Sequence, residues 1–132
     1  MTCHSLTPCR LLSTLVALIL TAASGLLAEV PQLLNYQGRV SVDGVPFDGT
    51  GQFKFALVNG TGDTAYWSND LSLAVELTPV DTPGTAVSLD VVNGLYSVLL
   101  GDDSLANMSA LPTGVFANED VHLRVWFDDG AN

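Results

Sequence analysis

The sequence is poor in the groups that staple, charge or catalyse a small protein. It holds two cysteines, Cys3 and Cys9, and both precede the first apolar run. The chain beyond them can form no disulfide and offers no thiolate to a metal, so it must stand on core packing. Cations are almost as scarce, with four Lys and Arg residues against fourteen Asp and Glu, for a net charge of −10. A field of that sign repels phosphate backbones and anionic lipid surfaces, which excludes nucleic acid as a natural partner. Of the two histidines, His4 lies in the first ten residues, and His122 stands alone in the rest. With no His pair at metal spacing and no Gly-x-Ser-x-Gly turn, zinc or serine-hydrolase chemistry has no starting point. The chain is not expected to be an enzyme or to carry a cofactor.

What is present begins with a leader. Met1 to Arg10 is polar and carries one cation, Leu11 to Leu20 is an uncharged apolar run, and Thr21 to Gly25 are small. That is the order of a secretory signal peptide, and the run is short for a membrane span, which needs about 20 residues. Residues 1–28 are therefore expected to be a signal-peptide helix, cut within the window 23–28. Cleavage after Ala28 places the bulky Leu26 at the third position back, whereas cleavage after Gly25 places Ala23 there. The cysteines precede the run, which disfavours a lipid-modified cysteine. Arg10 leaves with the leader, so fourteen carboxylates then face only Arg39, Lys54 and Arg124, for a net charge of −11. The expected product is a secreted or cell-surface protein with no membrane span in its mature chain.

Residues 29–132 read as a single β domain. Gln52 to Val58 places Phe53, Phe55 and Leu57 on one face and Gln52 and Lys54 on the other, the period of a half-buried strand. Ala86 to Val92 and Val121 to Phe127 alternate in the same way, with Val121, Leu123, Val125 and Phe127 inward and Trp126 outward. Further strands are expected over Leu33 to Val42, Thr64 to Ser68, Ser72 to Leu77 and Leu95 to Leu100. The pairs Asp43-Gly44, Asp48-Gly49, Asn59-Gly60 and Asn93-Gly94 tolerate positive φ and mark turns. Asn93-Gly94, set between two strand runs, predicts a two-residue hairpin turn. Thr78 to Gly84, with Pro79 and Pro83, predicts a loop. Only Ser104 to Ala110 reads as helix, about two turns capped by Asp102-Asp103. The expected fold is all-β, an antiparallel β-sandwich or partly open barrel of about six to eight short strands. Asp128 to Asn132 reads as the next turn, which predicts a chain that continues in a longer protein.

Five motifs in order carry a resemblance: Leu34-Asn35-Tyr36-Gln37-Gly38-Arg39-Val40, Gly49 to Leu57, Trp67-Ser68, Asn93 to Gly101 and Leu123 to Phe127. Together they resemble the "NYQGRL" N-terminal β module of secreted and cell-surface bacterial proteins. That module follows a signal peptide and often precedes collagen-like, repeat or tail-fibre-like regions. The resemblance implies a head or anchor role and transfers no catalytic residue.

The functional expectation is a non-enzymatic extracellular module for structure or interaction with other protein modules or glycans. Tyr66, Trp67 and Trp126 are the candidates for stacking on a sugar ring, so a carbohydrate-binding module is the alternative. Trp67 also suits a core position. A Ca²⁺-binding β domain is a further alternative, because Asp-rich loops with glycine supply the oxygen ligands a hard cation needs, but no stretch has the twelve-residue Ca²⁺ loop. The paired acids Asp102-Asp103, Glu119-Asp120 and Asp128-Asp129 read as solvated turns, and His122 as solvated. Gly38 reads as a bulge position, with Arg39 pairing a carboxylate. Asn59-Gly60-Thr61 and Asn107-Met108-Ser109 match glycosylation acceptors.

Overall fold

A computed structural model describes residues 32–73 and 81–131. The leader and its cleavage window lie outside the described residues, as does the expected Ser72 to Leu77 strand from residue 74 on. Pro31–Asn132 forms one compact unit. Its described residues form eight strands: β1 (Leu34–Arg39), β2 (Ser41–Val42), β3 (Val45–Pro46), β4 (Gly49–Val58), β5 (Ala65–Ser68), β6 (Val87–Val91), β7 (Leu95–Leu100) and β8 (His122–Asp128). All named pairings are antiparallel, and the sheets do not close into a barrel. No helix among the described residues is long and apolar enough to cross a membrane.

β4 organises the larger sheet. One of its edges pairs with β8, from Gln52↔Asp128 to Val58↔His122. Its other edge is shared, with Gly49 to Phe53 facing β6 and Ala56 to Val58 facing β5. The second sheet is β1 paired with β7. The core lies between them: Phe53, Phe55, Leu57, Trp67, Val87, Leu89 and Val91 meet Tyr96, Val98 and Leu100. Phe53 stands 4.3 Å from Tyr96 and 5.1 Å from Phe127, centroid to centroid. Ala56 and Val58 are buried too, although they alternate with the inward set. The C-terminal half of β4 is thus buried on both faces rather than half-buried.

Asn93-Gly94 makes the expected turn, with φ of 51° and 77°. Val92 N–H and Leu95 N–H donate to each other's carbonyl oxygens at 3.0 and 2.9 Å. The strands then part, β6 joining β4 and β7 joining β1. The hairpin is therefore the corner where the chain passes from one sheet to the other. The corner is pinned by Asp48, whose carboxylate accepts the Asn93 N–H at 2.6 Å.

Two expectations are corrected. Ser104 to Ala110 is not helical; it is a series of turns, and the one helical element among the described residues is a 3-10 turn at Val115–Ala117. Asp102 does cap the segment, accepting the Ser104 N–H at 3.1 Å and its hydroxyl at 2.6 Å. The helix fails at Asn107, which takes φ of 63°, while Ser109 N–H donates to the Asn69 carbonyl at 2.7 Å instead of back along its own segment. Gly38 makes no bulge either. It sits in regular register opposite Tyr96, and a Cβ there would come within 2.6 Å of Cε1 of the Tyr96 ring. Glycine is required because the ring lies across it. Arg39 is exposed and forms no ion pair among the described residues.

The seam between β5 and β6 is closed by Asn69, which is fully buried. Its side-chain oxygen accepts the Phe55 N–H at 2.9 Å. Its amide nitrogen donates to the Thr85 and Asn107 carbonyls at 2.9 and 3.0 Å. Its backbone N–H donates to the Phe55 carbonyl at 3.0 Å. Asn69 thus acts as one extra rung of the ladder where neither strand reaches.

Asp70 next to it ties the same seam from outside. Its carboxylate accepts Thr85 N–H at 2.6 Å, Ser72 N–H at 3.0 Å and the Ser72 hydroxyl at 2.6 Å. Partial burial pushes its pKa up, but these hydrogen bonds outweigh that and hold it down, from 3.8 to about 2. A carboxylate whose folded-state pKa is depressed contributes stability that is complete above its unfolded value and fades as pH falls toward the folded one. Between pH 5 and 2 the stability advantage of the wild type over Asp70→Asn is therefore expected to shrink. Urea midpoints measured across that range check it, and a gap that stays constant or widens in acid would refute the assignment.

Candidate functional site

The outward side chains of β4 and β8 gather on one face. Gln52 and Lys54 alternate with Phe53 and Phe55, and Trp126 and Asp128 alternate with Phe127. Register then places Gln52 beside Asp128 and Lys54 beside Trp126, so the four make a compact cross-strand patch. With Thr82 and Ala86 they line a surface groove of about 390 Å³. Lys54 Nζ donates to the Thr82 hydroxyl at 3.4 Å, a long bond, and Ser88 Oγ donates to Gln52 Oε1 at 3.1 Å.

Arg124 stands two residues before Trp126 on the same strand. Its guanidinium carbon lies 5.7 Å from the indole centroid, within the range of a cation–π contact. Its Nη2 donates to the Gly62 carbonyl at 3.0 Å, and Nη1 is buried without a partner among the described residues. Two of the three cations beyond the leader thus converge on Trp126, in a domain otherwise dominated by carboxylates.

The candidate stacking residues separate. Trp67 is 3% exposed and belongs to the core; its indole N–H donates to the Ala110 carbonyl at 3.1 Å. Tyr66 is half-buried, and its hydroxyl donates to Asp120 Oδ1 over 3.5 Å. Burial first, and then the Asp120 charge, raise the Tyr66 pKa. Asp120 also accepts the Gly60 N–H at 2.9 Å, so Tyr66 is held in a loop anchor and lines no part of the groove. Trp126 alone of the three lines it. His122 is exposed at the far end of the same strand.

The acids have local duties. Asp128 and Asp129 accept the N–H groups of Gly130 and Ala131 at 2.7 and 3.0 Å. In the Asn59–Thr64 loop the Asn59 amide nitrogen donates to Thr61 Oγ1 at 2.9 Å and to Asp63 Oδ1 at 2.6 Å. Its oxygen accepts Asp63 and Thr64 N–H groups, both at 3.1 Å, which fixes the orientation of the amide. Hydrogen bonds from Asn59 and Thr61 lower the Asp63 pKa. Among the described residues no three His, Cys, Asp or Glu side chains gather. Both glycosylation-type asparagines use their amide nitrogens structurally, Asn107 donating to the Ala86 carbonyl at 2.8 Å.

The groove was only partly visible in the sequence. Alternation placed Trp126 outward and put Gln52 and Lys54 on the face opposite Phe53, but the register that brings them together follows from β4 pairing with β8. Thr82 and Asp128 gave no signal beyond turn composition.

An open β domain of three antiparallel sheets among the described residues, with acids engaged in turns and one aromatic-polar face, defines a small all-β module. The chain belongs to the family described as domain of unknown function (DUF8740), whose model matches residues 35–132. Neither a curated protein nor a solved structure matches it.

Proposed function

We propose that this chain is a non-enzymatic extracellular interaction module, the N-terminal head of a larger surface or fibre-like protein. The observation that carries the reading is the division of labour among the polar groups. Asp48, Asp70, Asp102, Asp120 and Asp129 accept backbone N–H groups in turns and loops. The Trp126 face instead presents side chains of mixed chemistry on an open sheet, which suits recognition. The signal-like leader, the net charge of −11 beyond it and the resemblance of the opening motif to an exported bacterial module support the extracellular setting.

Expression of the full chain in a bacterial host is expected to release a protein whose first residue lies between 24 and 29, read by N-terminal sequencing. Incubated with a panel of polysaccharides, peptides and esters, that protein is expected to produce no new reducing ends, amines or acids. Retention of Met1 in a cell-associated product would overturn the exported setting. Turnover that disappears on substitution of a residue of this chain would overturn the non-enzymatic reading.

A further inference from the structure

We infer that the groove beside Trp126 is a binding site for a carboxylate-bearing sugar, a uronic acid unit of a glycan. The inference rests on the reading of the domain as a non-catalytic binding module and names the ligand class of its open face. Its volume of about 390 Å³ lies at the small end of ligand sites, the size of a mono- or disaccharide unit. The indole supplies an apolar wall for a pyranose face. Gln52, Thr82 and Asp128 supply the mixture of donors and acceptors that sugar hydroxyls need.

Charge sets the class more narrowly. Beyond the leader the chain has only Arg39, Lys54 and Arg124 as cations. Lys54 lines the groove, and Arg124 lies against the Trp126 ring. Lys54 forms no ion pair among the described residues, and its one hydrogen bond there is the long one to Thr82. Asp128 also lines the groove but pairs with Gln52, one step along the ladder from Lys54 and Trp126, so a single carboxylate seated at the Lys54 end is attracted locally, within the Debye length of about 8–10 Å. A polyanion would instead meet the fourteen carboxylates of the whole domain, which disfavours nucleic acid and densely sulfated chains. A peptide is disfavoured for a different reason. The groove lies on the face of the sheet, where the main chain offers no ladder to extend, so it lacks the chief source of affinity for an extended peptide.

The minimal test compares cellobiouronic acid with cellobiose, which differ in one carboxylate, by NMR titration of the full chain at low salt. Cellobiouronic acid is expected to bind roughly two- to fivefold more tightly, the effect of one partly exposed ion pair. Lys54→Gln is expected to erase that difference while cellobiose binding persists, and high salt is expected to do the same. Trp126→Ala is expected to remove binding of both sugars. Arg39→Gln, which changes the third cation away from the groove, is expected to change nothing. The inference is overturned if the two sugars bind equally, if neither binds, or if Arg39→Gln weakens binding as much as Lys54→Gln. Should Trp126→Ala fail to fold, the sugar pair and Lys54→Gln still decide. Equal or absent binding leaves the module reading standing, whereas cleavage of either sugar by the protein would end that reading instead.

Discussion

Replacing Asn69 by leucine is expected to destabilise the domain by roughly 2–4 kcal/mol, because one buried N–H loses its partner at about 1–3 kcal/mol and two part-buried carbonyls, which water can reach in part, lose theirs at less. The orphaned groups are the Phe55 N–H and the carbonyls of Thr85 and Asn107. The loss is large against the stability of about 5–15 kcal/mol typical of a small domain. Asn59 provides the control. Its side chain makes a comparable set of hydrogen bonds, but in an exposed loop where water can replace them, so Asn59→Ala is expected to cost about 1 kcal/mol. Urea unfolding followed by tryptophan fluorescence compares the two. Should Asn69→Leu fall within 1 kcal/mol of wild type, a figure at the low end for even one buried unpaired group, the seam is not held by this side chain.

The second large effect is expected at Gly38. A methyl group there must displace the Tyr96 ring, and that ring is 6% exposed and packed on Phe53. Gly38→Ala is expected to cost about 2–3 kcal/mol, the upper part of the range for overpacking a well-filled core. The diagnosis makes a sharper demand than the loss itself. With Tyr96→Leu already in place the same substitution is expected to cost much less, so the double-mutant cycle should show coupling of about 1 kcal/mol or more. Strictly additive losses would mean that Gly38 matters for its backbone alone. Burial, and then the neighbouring Tyr36, raise the Tyr96 pKa, which fits a ring held in a closed layer.

The strands and turns were legible in the sequence wherever a local rule decided them. Phe53, Phe55 and Leu57 announced β4 by period alone, and Asn93-Gly94 announced its turn because few other pairs accept positive φ at both positions. What escaped was set by partners distant in the chain. Gly38 looked like a bulge because its neighbour Tyr96 belongs to another strand. Asn69, between Ser68 and Asp70, carries no local sign of its role; its burial arises because β5 and β6 share an edge of β4 and leave a gap between them. Ser104 to Ala110 had helix-compatible composition, yet Asn69 and Ala86 draw its polar groups outward into tertiary bonds. At the candidate site the same limit held. Trp126 was placed outward by parity, Trp67 belonged to the core, and the company of Lys54 and Asp128 depended on a long-range register.

The long-range pairing of β4 also governs how the domain can reach its native state. A strand that pairs residue 52 with residue 128 cannot close its edge until nearly the whole domain has been made. Until then Phe53 to Val58, apolar at every position but Lys54, presents an open row of N–H and C=O groups. Contacts of such sequence separation form slowly, and an apolar strand edge left waiting is a template for mispairing with another chain. The interval before β8 docks is thus the period of greatest aggregation hazard for this protein.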